Sequence, residues 1–107
     1  MTINLGSVRQ SFLRAHVGRH RTLSELSNRI SASVAGDDDI QDTVTLLHTI
    51  CGTAETLGFN ELGQQARATE AAGEAALRDK HSRAAKAAFR QQLDKFLVLS
   101  EAVVAQR

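Results

Sequence analysis

The chain has 107 residues, close to the commonest size of one compact domain and too few for two. Its 13 basic and 12 acidic residues give a net charge of +1, so there is no electrostatic case for binding nucleic acid or a membrane surface. No apolar run approaches the ~20 residues of a membrane span. We therefore predict a single domain over residues 1–107 with neither kind of partner.

The residue types favour helices over strands. Pro, Trp and Tyr are absent, whereas the helix-forming residues Ala, Leu, Gln, Glu and Arg are plentiful. A lone cysteine, Cys51, excludes an internal disulfide and a zinc site built from cysteines. The N-terminal residues lack the long apolar segment of a secretion signal, which favours the cytoplasm and a reduced thiol. The predicted fold class is all-α.

The first two helices are predicted over residues 7–34 and 40–57. Gly18 and Arg19 interrupt the first pattern, so a kink or two shorter helices is possible there. Asp37, Asp38 and Asp39 precede the second helix and are better interpreted as an N-terminal cap than as a metal site. The first helix's predicted core positions step mostly by three or four residues: Val8, Phe12, Ala15, Leu23, Leu26 and Ile30.

Two further helices are predicted after Gly58, which suits a left-handed position at a helix end. The third begins near Asn60, a possible cap, and a polar break at residues 78–80 leads to the fourth over 81–106. Four amphipathic helices with short connections bury their apolar faces only against one another. We predict an antiparallel up-and-down four-helix bundle.

The segment around His48 is the most informative part of the chain. On a helix, His48 points roughly 100° away from the core residue Leu47, toward the outside. Gly52 lies one turn later on the same outer side, although glycine within a helix costs about 1 kcal/mol relative to alanine. A missing Cβ beside an outward imidazole would let another protein's surface reach the ring, whereas tight helix packing would need Gly52 on the inner face.

From His48 onward, a set of residues follows an ordered pattern without a gap: His48, Ile50, Gly52, Thr53, Ala54, Leu57, Gly58, Leu62, Ala66 and Glu70. These residues occupy the places of a known signature, H-x-L-K-G-S-A followed at helical intervals by L-G, L, A and E. The segment thus resembles the signature of histidine-containing phosphotransfer (HPt) domains. The resemblance implies that His48 accepts a phosphoryl group.

The chain departs from the family pattern at position 51. The family usually has a lysine three residues after the histidine, where its ammonium attends the phosphoryl group, but this chain has Cys51. Either another cation substitutes, with Arg67 on the next helix as the candidate, or the phosphohistidine has no such partner. Cys51 itself is expected to be a small filler at the edge of the core.

The resemblance implies a phosphocarrier rather than an enzyme. His48 would accept a phosphoryl group from one receiver-domain aspartate and donate it to another. The implied partners are response-regulator receiver domains and a hybrid histidine kinase, and Mg²⁺ is expected on the receiver rather than on this chain. We expect a monomer that docks through residues around the imidazole: Thr45, Thr49, Gly52 and Glu55.

Two other functions stay open. An HPt-like bundle that no longer transfers phosphate would act as a sequestering adaptor. The absence of the usual lysine at position 51, where the chain has Cys51, is consistent with that alternative. The other alternative is the phosphoacceptor domain of a larger kinase, although Met1 and a helix reaching the C-terminus favour a stand-alone protein.

The remaining histidines and aromatic residues have plainer interpretations. His16 and His20 are four residues apart but lack a third metal ligand nearby, so we interpret them, like His81, as surface residues. The arginine-rich stretch over residues 14–21 is interpreted as a solvated helix face, with a docking surface for an acidic receiver domain as the alternative. The four phenylalanines are expected to pack in the core or between helices: Phe12, Phe59, Phe89 and Phe96.

Overall fold

The computed structural model describes residues 5–31 and 36–106. Within these ranges the chain forms four helices: α1 (Leu5–Ser31), α2 (Asp37–Thr56), α3 (Asn60–Arg78) and α4 (Arg83–Val104). Helix α1 is continuous through Gly18 and Arg19, so the interruption considered there does not occur. The predicted end of the first helix, at residue 34, lies outside the described residues.

The four helices form the predicted antiparallel bundle. Each helix packs against the next along the chain, and α4 packs back against α1 to close the ring. The bundle measures about 51 Å along its axis and 20 × 19 Å across. In the part of the chain that the structure describes, no helix is long and apolar enough to cross a membrane. The all-α, four-helix prediction is confirmed.

The core consists of two apolar clusters that Leu97 joins by packing against both. Gly73 on α3 makes a close approach possible there, because a Cβ at this position would lie 2.6 Å from Cγ2 of Val44 and 3.1 Å from Cε1 of Phe89. The largest fully buried apolar side chains come from all four helices: Leu23, Leu47, Ile50, Leu62, Phe89, Leu93 and Phe96.

The acidic triplet before α2 does not cap the helix as predicted. Gly36 occupies the N-cap position without any side-chain hydrogen bond, and the three aspartates form the first turn. Their carboxylates still suit the positive end of the helix dipole. Asp39 instead pairs with Arg29 at 3.0 Å, and Asp37 pairs with Lys80 at 3.3 Å. Within the described ranges, no group of three or more candidate metal ligands occurs here or elsewhere.

The helix ends on either side of α3 agree more closely with the predictions made from the sequence. Gly58 adopts the predicted left-handed conformation, with φ of 90°. Asn60 is the first residue of α3 rather than its cap, because Phe59 takes the N-cap position without a side-chain hydrogen bond. At the start of α4, the Ser82 hydroxyl accepts a hydrogen bond from the backbone N–H of Ala85.

The buried face of α1 differs from the prediction. Val8 is 41% exposed and Ala15 is also exposed, whereas His16 is completely buried and His20 is partly buried. The surface interpretation of His16 is therefore wrong. The inner face of α1 uses residues that a hydropathy pattern counts as polar, because α4 presents a matching polar group.

That polar group is the buried hydroxyl of Ser100. Its Oγ lies 2.7 Å from Nε2 of His16 and 2.7 Å from Nδ1 of His20. A hydroxyl carries one proton, so it donates to one ring and accepts from the other. His16 also stacks on Phe12, with ring centroids 5.4 Å apart. Burial, with the nearby charges of His20 and Arg19, lowers the pKa of His16 to about 4.

The buried His16 should make the bundle less stable in mild acid. Unfolding restores an ordinary imidazole pKa near 6.5, so between about pH 6.5 and 4 the unfolded chain binds a proton that the folded chain does not. His16 should therefore lower the free energy of unfolding by roughly 1–3 kcal/mol from pH 7 to pH 4.5. Denaturant titrations of wild type and His16→Gln at both pH values measure this, since glutamine does not titrate.

His81→Gln is the matched control, because His81 is exposed and should leave the pH dependence unchanged. An equal loss of stability in acid for His16→Gln and wild type would contradict this assignment.

Candidate functional site

His48 lies near the middle of α2 and faces away from the core. Its neighbours Leu47 and Ile50 are completely buried, whereas 78% of the His48 side chain is exposed. The outward direction predicted from helical periodicity is present in the structure. The imidazole is nevertheless not free to rotate, because α3 supplies a partner for it.

That partner is Glu70, whose side chain is only 15% exposed. Its Oε2 lies 2.8 Å from Nδ1 of His48. A carboxylate only accepts hydrogen bonds, so Nδ1 carries the proton and donates it. In a neutral ring the lone pair is then on Nε2, the nitrogen of this largely exposed ring that Glu70 does not contact. The contact thus selects both the tautomer and the orientation of the ring.

The α2 surface around His48 is small and uncharged. Residues 43–54 contain no charged side chain, with the imidazole the one group that protonation can charge. A Cβ added at Gly52 would meet nothing within 4 Å. Thr45, Thr49 and Thr53 donate their hydroxyls to backbone carbonyls four residues earlier, at 3.0, 3.2 and 3.4 Å. On α2, the neighbours of the imidazole are therefore short uncharged side chains and the open space at Gly52.

The charged residues lie at the edge of this surface. One guanidinium nitrogen of Arg67 donates to both carboxylate oxygens of Glu55, at 2.9 and 2.8 Å. The hydrogen bond with Glu55, followed by charge interactions with Cys51, Glu55 and Glu70, raises the pKa of Arg67. Arg67 is therefore a permanent cation that in this structure neutralises Glu55.

Cys51 does not contribute to the exposed surface. It is 7% exposed and belongs to the core cluster, as a small filler at the core edge should. Of the seven candidate site residues, the structure places His48, Thr45, Thr49 and Gly52 on one exposed face of α2. Glu55 and Arg67 lie together beside it.

A comparison with protein families identifies the chain. The family model described as Hpt domain matches residues 9–100, which is most of the sequence. The chain belongs to the Hpt domain family. Hpt domains act as phosphocarriers in two-component phosphorelays, where they interact with receiver domains and kinases. Comparisons with curated proteins and with solved structures give no match.

In this Hpt domain, sequence reasoning missed the contact that Glu70 makes. The motif gives this residue only as its last position, without a structural role. An available signal was the predicted antiparallel pairing of α2 and α3 about the turn at Gly58. That pairing brings a residue ten positions before the turn level with one about twelve positions after it.

The role of Glu70 in selecting the tautomer is directly measurable. Above pH 8, where a free imidazole is neutral, ¹⁵N NMR of the wild type should show His48 predominantly protonated on Nδ1. Glu70→Ala removes the acceptor and should shift the ring toward the Nε2-protonated form. The control is Glu74→Ala, which removes an exposed carboxylate one turn further along α3. Identical ring shifts in wild type and Glu70→Ala would contradict the assignment.

Proposed function

We propose that this Hpt domain is a phosphorelay intermediate that receives and donates a phosphoryl group on Nε2 of His48. The observation that carries the proposal is the hydrogen bond from Nδ1 to Glu70 on an otherwise exposed ring. A nucleophile needs an available lone pair and an open approach, and His48 combines both. The family match supports phosphotransfer as the general activity.

The transfer needs one bond to form and one to break. The Nε2 lone pair attacks the phosphorus of a receiver's aspartyl phosphate in line, and the P–O bond to the aspartate breaks as the P–N bond forms. The aspartate leaves as a carboxylate, and the proton stays on Nδ1. The imidazole becomes positively charged, and the carboxylate of Glu70 stabilises that charge through the existing hydrogen bond. The reverse reaction donates the group to a second receiver.

The partner contributes the remaining charge stabilisation. Phosphoryl oxygens carry most of the negative charge during transfer, and a divalent cation is an effective group for neutralising it. We expect Mg²⁺ and a lysine on the receiver domain to do this, as the resemblance implies. This chain then contributes the nucleophile, its orientation and a surface that admits the partner.

We propose that the receiver docks on the small α2 surface around His48. A partner with a bound phosphoaspartate must bring its phosphorus within about 3–3.5 Å of Nε2, so bulky neighbours would obstruct it. The short side chains of Thr45 and Thr49, and the lack of one at Gly52, leave that approach unobstructed. Their uncharged character suits apolar contact with the rim of a receiver's active site, and Glu55 lies at the edge of the same surface.

Phosphoryl labelling tests the site directly. Incubation with a ³²P-labelled phosphoreceiver and Mg²⁺ should give one acid-labile, alkali-stable phosphate on the wild type, because an N–P bond has that stability. His48→Gln should take up no label, while the control His81→Gln should match the wild type.

Two outcomes contradict the proposal in different ways. Label that persists on His48→Gln would exclude this residue as the acceptor. A wild type that binds receivers across a panel but takes up no label would instead identify an adaptor that sequesters them.

Glycine at position 52 should lower the stability of the bundle and, in return, leave room for a receiver to reach His48. Gly52→Ala should raise the free energy of unfolding by about 0.5–1 kcal/mol, because alanine favours the helix and the new methyl group meets open space. The same methyl group should slow transfer from a receiver several-fold by obstructing its approach to His48. Denaturant unfolding and rapid-quench transfer measurements give the two values.

Gly18→Ala is the matched control, because Gly18 is also helical with nothing within 4 Å of an added Cβ. It should stabilise the bundle similarly and leave transfer unchanged. If Gly52→Ala transfers as fast as Gly18→Ala, clearance is not the role of Gly52.

A further inference from the structure

The packing of α2 against α3 places Arg67 level with Cys51. The two helices are antiparallel, so each step forward on α2 matches a step backward on α3. His48 is opposite Glu70 through their hydrogen bond, and Glu55 is opposite Gly63, where an added Cβ would overlap Cγ of Glu55. Midway between these two pairs, the same register sets Arg67 across from Cys51.

Glycine at position 63 allows Glu55 to lie across α3. Any larger residue at Gly63 would displace the Glu55 side chain, because its Cβ would overlap Cγ and approach Cδ to 3.3 Å. With that space open, the carboxylate reaches Arg67 one turn further along α3. Arg67 is therefore held beside the His48 site, three residues, or about 4.5 Å along the axis, from the position of Glu70.

A phosphoryl group on His48 would add charge to a surface that already carries two carboxylates. It brings nearly two negative charges beside Glu70 and Glu55. Helix α2 contains no lysine or arginine, and α3 contains only Arg67 and Arg78. Arg78 lies eight residues beyond Glu70, about 12 Å along the axis. On these two helices, Arg67 is thus the cation best placed to meet the new charge.

The ion pair between Arg67 and its present partner, Glu55, is weak enough to be broken readily. The Arg67 side chain is 64% exposed and that of Glu55 is 35% exposed, and ion pairs in such settings contribute little because water screens them. A guanidinium binds phosphate oxygens through two parallel hydrogen bonds, a stronger arrangement. The exchange of one partner for the other is therefore favourable once His48 is phosphorylated.

We propose that Arg67 is the phosphoryl-binding cation of this Hpt domain: it is held by Glu55 in the unphosphorylated state and transfers to the phosphoryl group on His48. The inference rests on the proposed phosphorylation of His48 and names the residue that stabilises the product. It also assigns Glu55 a role as the competing partner. The cation comes from α3 rather than from position 51 of α2, where the chain has Cys51.

The distribution of label between a receiver and this chain at equilibrium tests the proposal. Arg67→Gln should lower the ratio of phosphohistidine to phosphoaspartate about three- to tenfold, because only the phosphohistidine loses a charge-assisted partner. The control Arg78→Gln removes the same charge from the same helix and should leave the ratio within twofold of wild type. Glu55→Gln should raise the ratio, because Arg67 then has no competing partner.

Rescue distinguishes a phosphoryl-binding role from a structural one. In the Arg67→Gln background, Cys51→Lys should restore the ratio, because a lysine at position 51 can extend its ammonium from the core edge to the same space. Thermal unfolding of each variant identifies any that fail to fold. A second measurement needs no substitution: ¹⁵N-arginine side-chain signals of phosphorylated wild type should shift for Arg67 and not for Arg78.

The possible failures are distinct. A wild type that takes up no label contradicts the proposed function itself. A labelled wild type whose ratio is unchanged by Arg67→Gln, or is lowered equally by Arg78→Gln, overturns the role of Arg67 alone. Arg67 signals that do not respond to phosphorylation would overturn it as well.

Discussion

The close antiparallel packing of α2 on α3 is the constraint on which the site depends. Two glycines of α3 permit it: Gly73 receives Val44 in the core, and Gly63 leaves space for Glu55 at the surface. The register set in this way brings Glu70 to His48, although the two are 22 residues apart in sequence. A shift by one residue would rotate the Glu70 side chain about 100° around α3 and leave the imidazole without an orienting partner.

The fold was largely predictable from the sequence because local signals agreed with the global arrangement. The apolar positions of α2, α3 and α4 recur at helical spacing, and Gly58 adopts the left-handed conformation that its place after a helix suggested. The outward direction of His48 follows from the same periodicity. Contacts between helices were harder to predict from the sequence, since the His48–Glu70 hydrogen bond depends on a register between helices that periodicity within one helix does not specify.

The error on α1 has a different physical cause. Hydropathy counts histidine as polar, so the pattern favours Ala15 over His16 for the inner face. In the bundle, Ser100 of α4 supplies a hydroxyl for His16 and His20 together, and the stacking of His16 on Phe12 makes the ring part of the apolar core. Burial of an imidazole is tolerated when its polar atoms find partners. Nε2 of His16 finds one 84 residues away in sequence, whereas Nδ1 is buried without a hydrogen-bond partner among the described residues.

Two histidines of one chain thus show how environment determines chemistry. His16 is enclosed and its pKa is lowered to about 4, so it stays neutral at physiological pH and serves packing. His48 is exposed, and Glu70 directs its lone pair outward, so the ring is available to another molecule. In the proposed relay the chain supplies an oriented nucleophile, and the described residues contain no group of three or more candidate metal ligands. In the proposed transfer a partner completes the chemistry, so the small surface around His48 matters as much to that function as the imidazole itself.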